Sequence, residues 1–311
     1  MNSDWKYRKA FRLPRRIWRL VAPMLRRVLR WTRLAILRWE YPKERLLDFT
    51  CNICAGSVRF PFHRMGREDW SCIYCGSTVR FRSIVHVLSM ELFGESIALP
   101  DFPLRKDLVG LGLSDWEGYA QGLAEKFSYT NAFYHQEPRL DICKPDVSFL
   151  GQFDFLIASE VFEHVVPPVS LAFENARKLL KPGGVLIFSV PYIEGETREH
   201  FPNLHNYTMH QKDGEWLLLN RTVLGEEEIF GDLVFHGGPG STLELRVFGK
   251  DSLERAFPEA GFGCLKVYSE PHEAHGLVWI SYDPEKASYQ ANILGLDTPP
   301  WSARVLHGGQ A

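Results

Sequence analysis

The chain has 311 residues, 45% hydrophobic and 24% charged, enough apolar material for one sizeable core and a smaller appendage. Its formal net charge of −2 conceals an asymmetry, because residues 1–45 hold 14 Lys/Arg against 3 Asp/Glu while the remainder holds 22 against 35. A body this acidic argues against a broad nucleic-acid footprint there.

In chain order, the basic arm comes first. In FRLPRRIWRLVAPMLRRVLRWTRLAILRW, Ile17, Leu20, Val21, Met24, Leu25, Val28, Trp31, Ala35 and Trp39 share one broad helical face. Arg15, Arg16, Arg19, Arg26, Arg30 and Arg33 share the opposite one, and Pro23 is expected to kink or divide the helix. Arginine every third or fourth residue forbids a spanning helix, and no uninterrupted apolar stretch or cleavage site marks a signal peptide. The arm is expected to lie on an anionic membrane surface, with Trp18, Trp31 and Trp39 at headgroup depth; a partner-docking helix or a basic tail is the alternative. The corresponding location is cytoplasmic, peripheral on the inner face of the membrane.

Residues 46–82 carry Cys51-x2-Cys54 and Cys72-x2-Cys75, two pairs separated by seventeen residues, a spacing that predicts a four-thiolate zinc ribbon. Two disulfides or a redox pair are the other readings, and the lack of a secretory signal favours metal. Such a closed site is structural, and iron is the alternative ion. Gly56 and Gly76 follow the pairs where a turn can need positive φ, while Cys143 and Cys264 are expected to be buried thiols. A short helix is expected over 83–93.

The main domain, 83–282, opens with the apolar strand that runs into Gly110-x-Gly112. A helix (117–127) and the strand FSYTNAFYH follow. Asp141 in RLDIC reads equally as a turn cap. The stretch FDFLIASEVFEHVVPPVSLAFENARKLLKPGGVLIFSVP then gives strand, helix and strand, a βαβ unit of a parallel sheet. Ligands bind beyond the carboxyl ends of such strands, so Ser159, Glu160, Glu163, His164, Pro191 and Tyr192 sit where chemistry occurs. A histidine with neighbouring carboxylates is a natural base for an acceptor hydroxyl, which makes His164, Glu160 and Glu163 the candidate catalytic group.

A long insertion over 192–248 is expected to form a lid, with Tyr192, His205, His210 and His236 facing a polar acceptor. A helix over 250–260 and the strands GCLKVYSE and GLVWISY follow. The tail, 283–311, reads as a surface wrap or a disordered segment.

The motifs FDxLIxSEVxEHV and LLKPGGVLIFSVP resemble the core of class I S-adenosylmethionine-dependent methyltransferases. From about Cys51 to Tyr282 the chain resembles a bacterial subgroup with an N-terminal zinc ribbon. The resemblance implies an α/β, Rossmann-like, seven-stranded sheet. It also implies S-adenosylmethionine held by Gly110, Gly112, Asp115, Asn131, Asp141 and Glu160. The pattern departs from the family's at three places: Leu108 replaces an acid, Ser114 a glycine, and Asn131 the ribose-binding acid. In some relatives E-x-x-E-H residues hold a divalent metal, which here would use Glu160, Glu163 and His164, with His205 or His210 completing the shell. The implied activity is methyl transfer to an oxygen or nitrogen of a small molecule or glycan. Two alternatives are a membrane-tethered scaffold on a degenerate fold, and an RNA-modifying enzyme gripping its substrate through Arg59, Arg64, Arg67, Arg80 and Arg82.

Overall fold

A computed structural model of the chain describes residues 15–40, 45–278 and 303–307. On the first helix the side chains described are those of 24–36 and 39, so Ile17, Trp18, Leu20 and Val21 fall outside the described residues. Residues 279–282 of the expected last strand, and most of the tail, also lie outside them.

Helix α1 (Arg15–Glu40) leads to the hairpin β1 (Leu46–Thr50) and β2 (Ser57–Pro61), helix α2 (Val79–Phe93), β3 (Arg105–Leu113), α3 (Glu117–Lys126) and β4 (Phe127–Ala132). Then come β5 (Phe153–Ser159), α4 (Ser170–Leu179) and β6 (Leu180–Ser189). The insertion holds β7 (Tyr192–Ile193), β8 (Arg198–Glu199), the meander β9 (Asn206–Lys212), β10 (Glu215–Arg221) and β11 (Glu227–Phe230), the pair β12 (Phe235–His236) and β13 (Thr242–Leu243), and β14 (Arg246–Gly249). Helix α5 (Lys250–Glu259), β15 (Cys264–Tyr268) and β16 (Ala303–His307) follow. The arm helix is continuous through Pro23, whose missing N–H removes one backbone bond without ending the helix.

The main sheet runs β15-β16-β6-β5-β3-β4, with β6, β5, β3 and β4 parallel and β16 antiparallel to both of its neighbours. This is the Rossmann-like α/β architecture that the βαβ pattern predicts, with six strands among the described residues rather than seven. Beyond β4 the chain makes a single bridge, Phe133 to Arg139, because RLDIC closes a turn instead: the Asp141 carboxylate accepts from Cys143 N–H at 2.9 Å. Of the expected last strand, GLVWISY, only residues 276–278 are described. Gly276 takes a left-handed φ of 66° after a short turn, and Leu277 and Val278 are buried in the ribbon-side core. The antiparallel strand is supplied by Ala303–His307 from the tail.

The continuous apolar run of β5 is buried on both faces, as a central parallel strand requires. Phe155 and Ile157 face a core shared with α2, α3 and the cysteine-bearing hairpin, whereas Leu156 and Ala158 face α4 and α5. Residues 46–78 are therefore not a detached appendage, because they close one face of the sheet. Thr78 caps α2 by accepting from Phe81 N–H, and Gly94 ends it in the left-handed region.

Candidate active site and metal centre

The β1–β2 hairpin and the turn before α2 bring the four cysteines together. Cys51 and Cys75 sulfurs are 3.7 Å apart, as are those of Cys54 and Cys72. These separations are far longer than a disulfide and match the edge of a tetrahedral four-thiolate site, about 3.8 Å for metal–sulfur bonds of about 2.3 Å. Gly76 takes φ 81° as its position predicts, but in the first knuckle the left-handed residue is Ala55, at φ 54°. Gly56 answers to space instead, since a Cβ there would meet the Tyr74 ring at 2.6 Å. The fully buried Arg82 donates to Ser77 and Ser71 and to the carbonyls of His275 and Gly276; Arg30 of α1 donates to the carbonyls of Ile73 and Tyr74. Both cations stand near the sulfurs, where they would offset thiolate charge if the cluster held a metal. Cys143 is half-buried and Cys264 exposed, so neither is the fully buried thiol expected; Cys264 opens β15, an edge strand.

At the carboxyl end of β5, Glu160 adopts φ 56°, and its carboxylate is gripped by Arg67 from the cysteine-bearing segment. Arg67 Nη1 lies 3.1 Å from Oε2, Nη2 donates to Oε1, and Ser189 donates to the same oxygen at 3.2 Å. Burial pushes this carboxyl up, but Arg67 and Arg80 outweigh it and hold it below its ordinary value. Arg80 donates to Ser159 Oγ at 2.7 Å and to Glu68. Phe81 stacks on Trp116 at 4.5 Å, fastening α2 to the loop after β3.

That loop keeps the geometry of a glycine at Ser114, which takes φ 59° and donates its N–H to Ala132 O. The two glycines before it face protein rather than open space. A Cβ at Gly110 would lie 2.1 Å from the Phe155 ring, and one at Gly112 2.0 Å from Tyr129 Oη. Asp115 is turned inward, accepting from Tyr119 at 2.7 Å and from Tyr129. The Asn131 amide bonds both the N–H and the carbonyl of Asp115, so its polar atoms are engaged by backbone.

The 3-10 turn Phe162–His164 carries the remaining strand-end groups. Glu163 is fully buried, and neither of its carboxylate oxygens has a hydrogen-bond partner among the described residues. His164 Nε2 lies 3.6 Å and His236 Nδ1 3.7 Å from Glu163 Oε1. His164 Nδ1 is 2.7 Å from Leu243 O, and burial lowers the pKa of this imidazole. His236 Nε2 is 2.8 Å from Glu244, which also takes His200 at 2.9 Å. Burial raises the Glu244 carboxyl, yet the two histidines hold it at about 2.

The insertion does cover the strand ends, through β12 and β13 and through Arg246. This fully buried arginine donates to the carbonyls of Phe162 and Val165 and to Glu199. His236 joins Glu163 and His164, whereas His205 and His210 are exposed on the meander and Tyr192 is buried against β14. Glu160 is joined to Arg67 rather than to the two histidines. Arg67 and Arg80 were legible only as part of an RNA grip, and Glu244 and Arg246 not at all, because Glu160, Ser159, His200 and Phe162, which define their roles, are distant in sequence. The arginines grouped as an RNA grip have internal partners: Arg59 pairs with Asp48 at 3.2 Å, Arg67 with Glu160, Arg80 with Glu68, and Arg82 is buried.

The sequence matches the family described as "Methyltransferase domain" over residues 107–267, more than half of the chain. The chain belongs to this methyltransferase family. No curated protein matches the methyltransferase's sequence. Among solved structures it is similar to 1,6-didemethyltoxoflavin-N1-methyltransferase of Burkholderia thailandensis at 14% identity and TM-score 0.41, over 74% of this chain and 78% of that one. An S-adenosylmethionine-dependent methyltransferase from Mesorhizobium loti is 15% identical with TM-score 0.37, over 68% and 95% of the two chains. An amino pentose methyltransferase from Micromonospora echinaspora is 14% identical with TM-score 0.35, over 75% and 92%.

Proposed function

We propose that this methyltransferase uses S-adenosylmethionine to methylate an oxygen or nitrogen of a small molecule or glycan. The observation that carries the reading is the pinned Glu160 carboxylate beside Arg80 and Ser159, at the strand ends where ligands bind in open α/β sheets. An acid and a guanidinium buried side by side fit the ammonium and carboxylate of the cofactor's amino-acid end, with Asp141 on its adenine side. The ribose has less support, because Asn131 is engaged by Asp115. When bound, S-adenosylmethionine supplies a methyl group on a positively charged sulfur, already a strong electrophile. The protein's part is to orient the acceptor and accept its proton, for which the cluster of Glu163, His164 and His236 is placed.

Zinc in the four-cysteine cluster is a structural element of the same proposal, supported by the sulfur separations and the flanking arginines. The arm is proposed to rest on an anionic membrane surface. Its support is an outward row in which Met24 is 71% and Trp39 84% exposed, beside the basic charge of residues 1–45. No helix of the described residues is long and apolar enough to cross a membrane.

The test of the acceptor class is mass spectrometry of small-molecule and glycan extracts incubated with the protein and isotopically labelled S-adenosylmethionine. Labelled product in these fractions is expected. Label found only in RNA would overturn the acceptor assignment.

A further inference from the structure

We propose that Glu163, His164 and His236 bind one divalent transition-metal ion, separate from the four-cysteine cluster. The ligand atoms of the three residues lie within 4.8 Å of one another. A buried carboxyl group with both oxygens unpartnered is rare in a folded protein and calls for a partner. The Leu243 carbonyl can only accept, so His164 carries its hydrogen on Nδ1; the Glu244 carboxylate can only accept, so His236 carries its hydrogen on Nε2. The ring atoms left on the Glu163 side are Nε2 of His164 and Nδ1 of His236, 3.6 and 3.7 Å from Oε1.

Three potential ligand atoms thus converge at separations too long for hydrogen bonds, and a cation at their centre would engage all three. The outer partners are those of metal-binding histidines: a carboxylate behind His236, steadied by His200, and a backbone carbonyl behind His164. This donor set differs from E-x-x-E-H alone, since Glu160 is held by Arg67 and the lid's His236 takes its place. Two imidazoles and one carboxylate suit manganese, iron, cobalt or zinc better than magnesium or calcium, whose shells are oxygen. Three protein donors leave positions open. An acceptor oxygen entering one of them would lose its proton to solvent more readily, so the ion does the work otherwise left to His164 Nε2. That step rests on the methyl-transfer reading, whereas binding of the ion does not.

The experiment titrates full-length, zinc-loaded protein with manganese(II) chloride and reads free manganese by electron paramagnetic resonance. One manganese per chain is expected, with affinity roughly tenfold or more weaker in Glu163→Gln and His236→Ala and roughly ten- to a hundredfold weaker in Glu244→Gln. His210→Ala, exposed on β9, should bind as wild type does. No uptake by the folded wild type at millimolar manganese, or uptake unchanged by His236→Ala, overturns the proposal; His236 is 31% exposed, so this variant should fold. S-adenosylhomocysteine affinity is measured on the same samples. Manganese binding without it would count against methyl transfer alone, and the reverse against the metal alone.

Discussion

The guanidinium of Arg67 faces the carboxylate of Glu160 across 93 residues of sequence, with Nη1 3.1 Å from Oε2 and Nη2 bonded to Oε1. The cysteine-bearing segment thus reaches into the strand-end site and holds its first acid. Both side chains are largely buried, so removing one partner leaves an uncompensated charge, at a cost of about 3–5 kcal/mol in such pairs. Arg67→Met should keep its zinc and lose most of its affinity for S-adenosylhomocysteine, read by metal analysis and calorimetry. Unchanged affinity would mean that the pair only braces the fold.

The zinc account predicts about one tightly held metal per chain and its loss in Cys72→Ser. Because Cys51, Cys72, α2 and Phe155 share one core, unfolding should spread beyond residues 51–75 into α2 and the Phe81–Trp116 stack. Hydrogen exchange over 79–93 measures this. Normal protection there in the metal-free variant would contradict it.

Burial pushes the Asp115 carboxyl up to about 7 from an ordinary 3.8, against the pull of hydrogen bonds from Tyr129 and Tyr119. A raised folded value means that stability from this group is full below 3.8 and is lost as pH rises through about 7. Between pH 5 and 7 wild type should lose stability relative to Asp115→Asn by roughly 1.4 kcal/mol per pH unit. Urea denaturation at both pH values checks this, and parallel slopes would refute it.

The arm is joined to the cysteine-bearing segment more closely than an amphipathic tail would be. Leu34 is 2% exposed in the core shared with the cysteine-bearing hairpin, and Arg30 bonds the carbonyls of Ile73 and Tyr74. Leu34→Ala should cost about 2 kcal/mol or more in unfolding free energy. Trp39→Ala should leave stability unchanged and weaken flotation with anionic vesicles. Equal flotation would remove the membrane reading.

The sequence made the βαβ core legible because a run such as FLIA between polar clusters has few other uses. The cysteine spacing was equally legible. Pairings across long separations were not, as Arg67 with Glu160 and Glu163 with His236 show. The insertion's histidines looked alike in sequence, yet the β12–β13 pairing brings His236 inward while His205, just before β9, and His210, on it, stay exposed. Gly110 and Gly112 suggested close approach of a ligand, and the structure explains them by Phe155, Tyr129 and Asp115. GLVWISY carries a stronger β pattern than ARVLH, yet the strand described beside β6 is Ala303–His307, while residues 279–282 of GLVWISY lie outside the described residues.

Methyl transfer is tested most directly by isothermal titration of the folded, zinc-loaded full chain with S-adenosylhomocysteine. One site per chain is predicted, with affinity lost in both Glu160→Gln and Arg67→Met. A folded, metal-loaded protein that releases no heat of binding across the titration, and transfers no label from S-adenosylmethionine, would contradict the account.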